Sequence, residues 1–434
     1  MIHTTNRVLT AELPAHVGET VEVSGWLHRR RELKSVTFLV LRDRSGLAQV
    51  VLTAPGGDVP EETVLRVRGT VTANPQAPGG VELTSPQIEP LSSLAQAPPF
   101  DLYRPAVSAG LPTILDHAPV ALRHPQLKAP FQLSAASVAG FRAALDALSF
   151  TEIHTPKVVS SATESGANVF ALDWFGRPAY LAQSPQFFKQ AMVGVFERVY
   201  ETGPVFRAEP HDTARHLAQY TSLDAELGFI TDHRDVMAVV REAVAGMVEG
   251  IEERSAEAVE RLELTLPEVP AEIPQIHFAD AMTMLGVDEP DLAPAHERFL
   301  SEWALREHGS ELLFVTGYPM AKRPFYTHPD PERPAYSNSF DLLFRGLELV
   351  TGGQRLHRYE DYVAALAARG ESAEPYESYL SAFAHGMPPH GGFALGLERW
   401  TARLTGADNI RRTTGLVQGR VTGWVTRPGR PVWS

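Results

Sequence analysis

The chain has 434 residues, a formal net charge of −13 at pH 7 and a hydrophobic content of 44%. This length predicts two or three domains with a sizeable core, and the acidic balance argues against indiscriminate binding of nucleic acid. Cysteine is absent, which excludes disulfides, zinc–thiolate sites and a thiol nucleophile. No apolar segment resembles a signal peptide or a membrane span, so we expect a soluble cytoplasmic protein without a membrane partner.

Residues 20 to about 90 are predicted to form a small β-barrel. The segment TVEVSGWLH alternates polar and apolar residues, VTFLVLRD is apolar and β-branched, and turns such as RSG and NPQAPGG separate the strands. Five short strands within about 75 residues are typical of an OB-fold, and an SH3-like barrel is the alternative.

A change of composition marks a second part of the chain. Residues 92–113, SSLAQAPPFDLYRPAVSAGLPT, are rich in proline, alanine and serine, which is typical of a linker. Amphipathic helices and long extended segments follow without a βαβ pattern, which favours an antiparallel sheet. We therefore predict an α+β protein with a barrel over residues 1–95, a hinge over residues 96–125 and a larger domain over residues 126–434.

The segment VFRAEPHDTARHL, residues 205–217, is densely charged. Such clusters are usually solvated surface turns, but arginines also suit a grip on a nucleotide triphosphate because their planar side chains bind phosphate oxygens in pairs. On an extended strand Arg207 and Glu209 would lie on one face, and Tyr220 offers a ring for stacking. The chain has neither a P-loop sequence nor a Rossmann fingerprint, so arginines would have to hold any nucleotide.

Three segments, in chain order, resemble the motifs of the class II aminoacyl-tRNA synthetases. GFRAALDALSFTEIHTPKV resembles the first motif, which forms the family's dimer interface and ends in a proline, here Pro156. FRAE with RHL resembles the second motif, and GGFALGLERW resembles the third. The resemblance implies an N-terminal OB-fold β-barrel, a class II synthetase catalytic domain built on an antiparallel β-sheet flanked by helices, and a homodimer.

Within this family the chain resembles the aspartyl enzymes, which activate L-aspartate with ATP and transfer it to tRNA. The resemblance implies ATP as a substrate and Mg2+ bound by Asp341, Glu348 and Thr351, with Arg207, Glu348 and Arg399 as the catalytic residues. The ATP-binding residues that it implies are Arg207, Ala208, Glu209, Arg215, His216, Leu217, Tyr220, Glu348, Gly396, Leu397, Glu398 and Arg399. Without the resemblance, Asp341 and Glu348 would be ordinary exposed acids on a strand.

Specificity for a small acid requires cations in a pocket closed to water. The resemblance assigns aspartate binding to Glu164, Gln183, Ser184, Gln186, Lys189, Arg207, Asp224, Thr351 and Arg355. Lys189 and Arg355 would hold the side-chain carboxylate, while Glu164 and Asp224 would receive the ammonium group. YLAQSPQFFKQ, residues 180–190, resembles a mobile loop over the substrate. The alternative for Lys189 is an ordinary lysine on a helix surface.

Other functions remain open from the residues alone. An asparaginyl enzyme is similar throughout, but it normally lacks a lysine at the position of Lys189. A weakened tRNA-binding paralogue would not need the complete set of Arg207, Glu348 and Arg399. A paralogue that makes asparagine without tRNA normally lacks the N-terminal barrel.

The predicted barrel carries a cationic segment, HRRRELK, at residues 28–34. By resemblance Phe38 stacks on an anticodon base and Gln49 hydrogen-bonds it, with His28 and Arg29 completing the anticodon-binding set. A solvated surface is the alternative for this run of charge.

The short distance between the second and third motifs resembles the compact archaeal-type enzymes. That form includes members that charge the aspartate and the asparagine tRNAs, and a tRNA-dependent amidotransferase then completes the second product. His28 and the NPQAPGG loop resemble those relaxed members. We therefore expect tRNA(Asp) and tRNA(Asn) as partners, with a functional link to an amidotransferase.

The chain departs from the family pattern in three places. Ala218 and Gln219 follow RHL where the family has Asn-Glu, and Pro210 replaces an acid. After ADNIRR the family's Phe-Pro-Arg stretch is replaced by TTGLVQGRVTGWVTRPGRPVWS. The altered tail puts the last contacts to ATP and to the acceptor end in doubt.

Overall fold

A computed structural model describes residues 7–53, 59–160, 169–208 and 213–414 of the chain. Contacts divide the protein into two compact units, Met1–His124 and Pro125–Ser434. The boundaries proposed from the sequence, with a separate hinge over residues 96–125, stay predictions. Three features singled out in the sequence, Glu164, Glu209 and the C-terminal stretch after ADNIRR, lie wholly or almost wholly outside the described residues. In the described part of the chain, no helix has the length and apolar character needed to cross a membrane.

The N-terminal unit is a closed barrel of five strands in the order β1-β2-β3-β5-β4. Val23, Leu39 and Leu83 fill its interior from alternating positions, as a sheet with one buried face requires. The five-stranded closed barrel confirms the expected OB-fold. The strands and helices of this unit are β1 (Thr20–Glu32), β2 (Thr37–Arg42), β3 (Leu47–Leu52), β4 (Val64–Ala73), β5 (Val81–Pro90), α1 (Leu111–Asp116) and α2 (Ala118–Ala121), with 3-10 helices at Thr10–His16 and Pro78–Gly80.

The C-terminal unit is built on an eight-stranded sheet in the order β12-β13-β14-β15-β16-β11-β10-β6. Its strands are β6 (Thr151–Glu152), β10 (Arg198–Phe206), β11 (Gln219–Gly228), β12 (Gln275–His277), β13 (Leu312–Thr316), β14 (Ser339–Phe344), β15 (Leu347–Gln354) and β16 (His390–Gly396). A separate three-stranded sheet in the order β7-β9-β8 comprises β7 (Val158–Val159), β8 (Ala171–Trp174) and β9 (Arg177–Leu181).

The expected antiparallel sheet is confirmed for the six strands from β13 to β10, and the two outer strands differ. β12 pairs with β13 in parallel, and β6 pairs with β10 in parallel. Parallel neighbours need a crossover connection. Helices lie between β12 and β13 in the chain, while the small sheet and a helix lie between β6 and β10, so both crossovers are present.

Helices surround the large sheet and close its core. They are α3 (Pro125–Ala147), α4 (Gln186–Phe196), α5 (His233–Arg254), α6 (Ala256–Arg261), α7 (Phe278–Leu285), α8 (Pro294–His308), α9 (Tyr359–Ala368), α10 (Glu377–Ala384) and α11 (Leu397–Leu404), with 3-10 helices at Met320–Lys322, Glu374–Tyr376 and Ile410–Thr413. α3 and α5 pack closely because both carry glycine at the contact. A Cβ atom on Gly140 would lie 1.9 Å from the carbonyl oxygen of Gly246.

The two faces of the large sheet have different compositions, because successive side chains on a strand point to opposite sides. Phe340, Val350 and Phe393 belong to the core that α3 and α5 cover. Polar and small residues occupy the other face, where register places Asp341 opposite Thr351, Thr351 opposite Ala394 and Ala394 opposite Asp224. This polar face is the floor on which the candidate site is built.

Candidate active site

A cavity of about 440 Å³ lies over the polar face of the sheet. Its size falls within the range of small-molecule sites, roughly 300–1,000 Å³. The residues singled out in the sequence that line it are Ser184, Gln186, Arg207, Arg215, His216, Leu217, Tyr220, Asp224, Glu348, Thr351, Arg355, Gly396, Glu398 and Arg399. Gln183, Lys189, Ala208, Asp341 and Leu397 lie outside this lining. Cationic and acidic side chains from segments far apart in the chain therefore line the same cavity.

Strands β10 and β11 form a hairpin that positions Arg207 and Tyr220. Val205 pairs with Tyr220, and the Arg207 backbone N–H donates to the Ala218 carbonyl at 2.9 Å. The Arg207 guanidinium lies 5.7 Å from the centroid of the Tyr220 ring. Because both residues line the cavity, the solvated-turn interpretation does not hold for this end of the charged segment.

Lys189 is buried beneath the cavity and is not a helix-surface lysine, since it is only 1% exposed. Its Nζ atom lies 3.0 Å from Asp224 Oδ1 and 3.3 Å from Glu226 Oε2, and it donates to the Phe393 carbonyl at 2.8 Å. Arg355 donates through Nε to Glu226 Oε1 at 3.0 Å. Two cations and two carboxylates therefore form one buried cluster.

Glu226 belongs to this cluster, although sequence reasoning did not select it. Gly392 lies opposite Glu226 on β16, and a Cβ atom on Gly392 would lie 2.0 Å from Glu226 Oε2, so glycine makes room for the carboxylate. Burial raises the pKa of Glu226, but Arg355 and Lys189 outweigh burial and hold the pKa below its ordinary value. The sequence did hold one signal for Glu226. It lies two residues from Asp224 on one strand, so the two side chains point to the same face of the sheet.

The segment 180–190 forms the end of β9 and the first turn of α4, so the expected loop is wrong from Gln186 onward. Gln183, Ser184 and Gln186 are buried at the edge of the site. The Gln186 backbone N–H donates to Ser184 Oγ at 3.4 Å. Its side-chain Nε2 atom is buried and makes no hydrogen bond within the described part of the chain. A buried donor of this kind lining a cavity suits a polar ligand.

Glu348, Thr351 and Arg399 meet on the opposite wall. Thr351 Oγ1 donates to Glu348 Oε1 at 3.0 Å. Arg399 Nη1 donates to the Glu348 carbonyl at 3.2 Å and lies 3.4 Å from Glu348 Oε1. The third motif therefore delivers its arginine directly to the acid predicted to bind a metal ion.

Asp341 is buried next to this wall and forms an ion pair with Arg323, whose Nη2 atom lies 3.0 Å from Asp341 Oδ1. Burial raises the pKa of Asp341 to about 6, Arg323 opposes the rise and Glu348 adds to it. A carboxyl buried beside a second acid is a position that a divalent cation would stabilise. Among the described residues no group of three or more His, Cys, Asp and Glu side chains is arranged to hold a metal ion. Asp341 and Glu348 supply two carboxylates, a donor set that suits Mg2+, since Mg2+ usually takes one or two carboxylates together with substrate phosphates.

The RHL segment turns back toward the cavity. Arg215 Nη2 donates to Glu297 Oε2 at 2.6 Å, and His216 Nδ1 lies 2.7 Å from Thr213 Oγ1. Leu217 packs in a small apolar cluster with Ala402 and Ile410. Glu297 is a second carboxylate that sequence reasoning missed, because α8 lies outside all three motifs and no spacing pattern singles it out.

The third motif spans the junction between β16 and α11. Gly396 is the last residue of β16, and Leu397 is buried in the core. The Glu398 carboxylate accepts hydrogen bonds from the Thr221 backbone N–H at 3.1 and 3.0 Å. Burial raises the pKa of Glu398. Glu398 therefore fixes α11 to β11 next to Tyr220.

The barrel presents a mixed cationic and aromatic surface on β1, β2 and β3. Register places Arg31 opposite Phe38, and Val40 opposite both Arg29 and Gln49, so these side chains share the outer face. Gln49 donates to Glu82 at 2.9 Å.

His28 does not lie on that outer face, and it is buried, with only 5% of its surface exposed. Its Nδ1 atom is 2.8 Å from Arg42 Nη1. Pro156, expected at a dimer interface, is exposed between β6 and β7. The site roles assigned to both residues stay predictions.

Comparison with known protein families decides the class of this chain. The family model described as tRNA synthetases class II (D, K and N) matches residues 111–417. The chain belongs to the class II tRNA synthetases. A second model, the OB-fold nucleic acid binding domain, matches residues 21–91, which coincides with the barrel. Membership of this class of ligases implies the use of ATP.

Curated relatives and solved structures cover almost the whole synthetase. An aspartate–tRNA(Asp/Asn) ligase of Thermus thermophilus is 47% identical, covering 95% of this chain and 99% of that protein. A ligase of the same name from Deinococcus radiodurans is 44% identical over 95% and 98% of the two chains. The crystal structure of asparaginyl-tRNA synthetase from Pyrococcus horikoshii with asparaginyl-adenylate matches with a TM-score of 0.89 at 29% identity, covering 97% and 99%.

Proposed function

We propose that this synthetase ligates L-aspartate to tRNA(Asp) and tRNA(Asn) through an aspartyl-adenylate, converting ATP to AMP and diphosphate. The observation that carries the proposal is the buried pair of cations, Lys189 and Arg355, at the end of a cavity lined by Arg207 and Arg399. The relatives from Thermus and Deinococcus are both named aspartate–tRNA(Asp/Asn) ligase, and this supports both the amino acid and the two tRNAs.

Charge balance in the pocket supports aspartate over asparagine. Lys189, Arg355 and Arg207 supply three positive charges, and Asp224 and Glu226 supply two negative charges. Among these described residues the cations therefore exceed the carboxylates by one, and the side-chain carboxylate of aspartate would supply the missing negative charge. Asparagine has one carboxylate fewer and would leave a buried cation without its counter-charge, which is costly.

Activation needs two anions to approach each other, the amino acid carboxylate and the triphosphate. Arg207 would bridge the carboxylate and the α-phosphate, while Arg215, His216 and Arg399 would hold the remaining phosphates. Tyr220 would stack on adenine. Fixed cations lower the barrier by neutralising charge in place, and alignment of the two reactants contributes up to roughly 7–11 kcal/mol. The roles of Ala208, Glu209, Leu217, Gly396, Leu397 and Glu398 would be to shape the ATP pocket around them.

Mg2+ would be held by Asp341, Glu348 and Thr351 together with the phosphates. When bound, the ion supplies positive charge that neutralises the triphosphate. Arg399 contacts Glu348 and would orient this carboxylate.

The tRNA would bind through the barrel, with Phe38 stacking on an anticodon base and Gln49 and Arg29 contacting its edge and backbone. His28 is buried beside Arg42 and would act through that contact. We further propose a homodimer with Pro156 at the interface and a cytoplasmic location. A tRNA-dependent amidotransferase would convert the product on tRNA(Asn).

Aminoacylation of two transcripts tests this function. The purified enzyme is expected to attach labelled aspartate to tRNA(Asp) and tRNA(Asn), and a tRNA of another family serves as the control. Charging of tRNA(Asp) alone would contradict the proposed use of tRNA(Asn) but would still support aspartate ligation. Attachment of asparagine in place of aspartate would favour the asparaginyl function of the Pyrococcus structure.

A further inference from the structure

Glu297 on α8 touches two parts of the ATP site that come from different segments. Its Oε2 atom accepts from Arg215 Nη2 at 2.6 Å and from the Glu348 backbone N–H at 3.4 Å. Glu297 is 6% exposed, so this contact is made away from bulk water. Charge-assisted hydrogen bonds of this kind are shorter and stronger than neutral ones.

The contact continues along the cavity wall through the backbone of Glu348. Glu348, whose backbone Glu297 holds, accepts from Arg399 through its carbonyl oxygen at 3.2 Å. Arg215 and Arg399 are therefore linked through two acids, Glu297 and Glu348. A displacement of Glu297 would act on both arginines.

The cations around Glu297 explain why an acid is needed there. Burial lowers the pKa of Arg403, Arg215 lowers it further, Glu297 opposes them and Arg298 adds to the lowering. Arg215 and Arg403 therefore repel each other, and Glu297 counteracts that repulsion. Arg215 follows a loop and would be free to turn toward solvent without this anchor.

We propose that Glu297 is a positioning residue that fixes Arg215 and the Glu348 backbone, so that the cations for the far phosphates are in place before ATP binds. The inference rests on the proposed function. A guanidinium has five N–H donors, and the contact with Glu297 uses one at Nη2, so others remain for phosphate oxygens. Ordering a long side chain in advance removes part of the entropy cost of binding.

The test is aspartate-dependent ATP–pyrophosphate exchange by the full chain, in which the KM for ATP and the KM for aspartate are measured separately. Glu297→Ala is expected to raise the KM for ATP about tenfold while the KM for aspartate stays within about twofold, because the anchor acts on one substrate. Glu297→Gln keeps an acceptor oxygen but loses the charge, so it is expected to raise the KM for ATP by a smaller factor, about threefold. In an Arg215→Ala background, Glu297→Ala is expected to raise the KM for ATP by a smaller factor than in wild type, because one of its two targets is gone.

The matched control is Glu307→Ala on the same helix, whose carboxylate pairs with Arg306 at the surface. It is expected to leave both KM values unchanged. If Glu297→Ala does not fold, Glu297→Gln is compared with wild type by calorimetric titration with ATP, and a weaker affinity supports the inference.

Three results would overturn the inference. These are equal changes in both KM values, independent effects of Glu297→Ala and Arg215→Ala in the double variant, and unchanged ATP binding in either Glu297 variant. A wild type that catalyses no aspartate-dependent exchange would instead overturn the proposed function, so the two failures are distinguishable.

Discussion

Lys189 and Asp224 form an ion pair at 3.0 Å, and their side chains are 1% and 2% exposed. The pair joins α4 to β11, with Asp224 lining the cavity and Lys189 buried beneath it. The two buried charges compensate each other, so removal of one side chain leaves the other charge without a partner in a medium of low polarity, which is costly. This relationship gives the amino acid pocket its selectivity in our proposal.

Substitution of Lys189 by methionine should abolish selection of aspartate. Truncating one partner of a buried, hydrogen-bonded charge pair at a binding site costs about 2–5 kcal/mol, which corresponds to roughly 30- to 4,000-fold in aspartate-dependent exchange. Lys128→Met, at an exposed position on α3, is the control and should behave like wild type. Exchange that survives in Lys189→Met at the wild-type rate would contradict the assigned role.

Arg399→Gln should slow activation without disturbing the fold. The substitution removes a charge that lines the cavity, contacts Glu348 and would face the triphosphate in the proposed function. Loss of one fixed donor at such a site typically costs about 10²- to 10³-fold in kcat. Arg261→Gln removes an arginine that pairs with Glu257 on the surface of α6 and should have no effect on kcat. Equal kcat values for Arg399→Gln and wild type would exclude Arg399 from the chemistry.

Phe38→Ala should separate tRNA charging from amino acid activation. Stacking of a base on an aromatic ring contributes about 1–3 kcal/mol, so the KM for tRNA should rise by roughly 5- to 150-fold. Pyrophosphate exchange should not change, because the ring lies on the barrel. Leu91→Ala removes an exposed apolar side chain elsewhere in the N-terminal unit and should alter neither activity. A Phe38→Ala enzyme with a normal KM for tRNA would show that the base is bound elsewhere.

Glu62 should make the N-terminal unit sensitive to acid. Burial raises its pKa, but contacts from His28, Arg42 and Arg123 outweigh burial and lower the pKa from 4.5 to about 2. A depressed folded-state pKa contributes stability that is complete above about pH 4.5 and is lost as the pH falls toward 2, a contribution of about 3 kcal/mol.

Calorimetric unfolding of the full chain and of Glu62→Gln measures this contribution. The difference in unfolding temperature should be largest above pH 4.5 and should shrink toward pH 2. Arg66→Gln, which removes a partly exposed arginine paired with Glu89, should show no such dependence on pH. A difference that is independent of pH would show that the Glu62 charge contributes nothing.

Much of the fold could be predicted because local patterns and global structure agree. The alternation in TVEVSGWLH places Val21 and Val23 in the barrel core, and the order of the motifs indicates the catalytic unit. The parallel pairing of β6 with β10 and of β12 with β13 could not be predicted in this way. It depends on crossovers that bring distant segments together, and two- or three-residue strands carry no periodicity.

The candidate site shows the same division. Residues inside motifs, such as Arg207 and Arg399, line one cavity as the sequence suggested. Glu226, Glu297 and Arg323 were not selected. Glu297 and Arg323 lie outside the recognised patterns, Glu226 offered only its two-residue spacing from Asp224, and each gains its importance from a partner on another element. Ion pairs with Arg355, Arg215 and Asp341 appear only after the chain has folded.

ATP–pyrophosphate exchange with aspartate and with asparagine, measured side by side, tests the central claim most directly. The buried cations Lys189 and Arg355 predict rapid exchange with aspartate and exchange at least about 100-fold slower with asparagine, because a neutral amide leaves a buried charge unbalanced. Equal rates with the two amino acids, or no exchange with aspartate, would contradict the account.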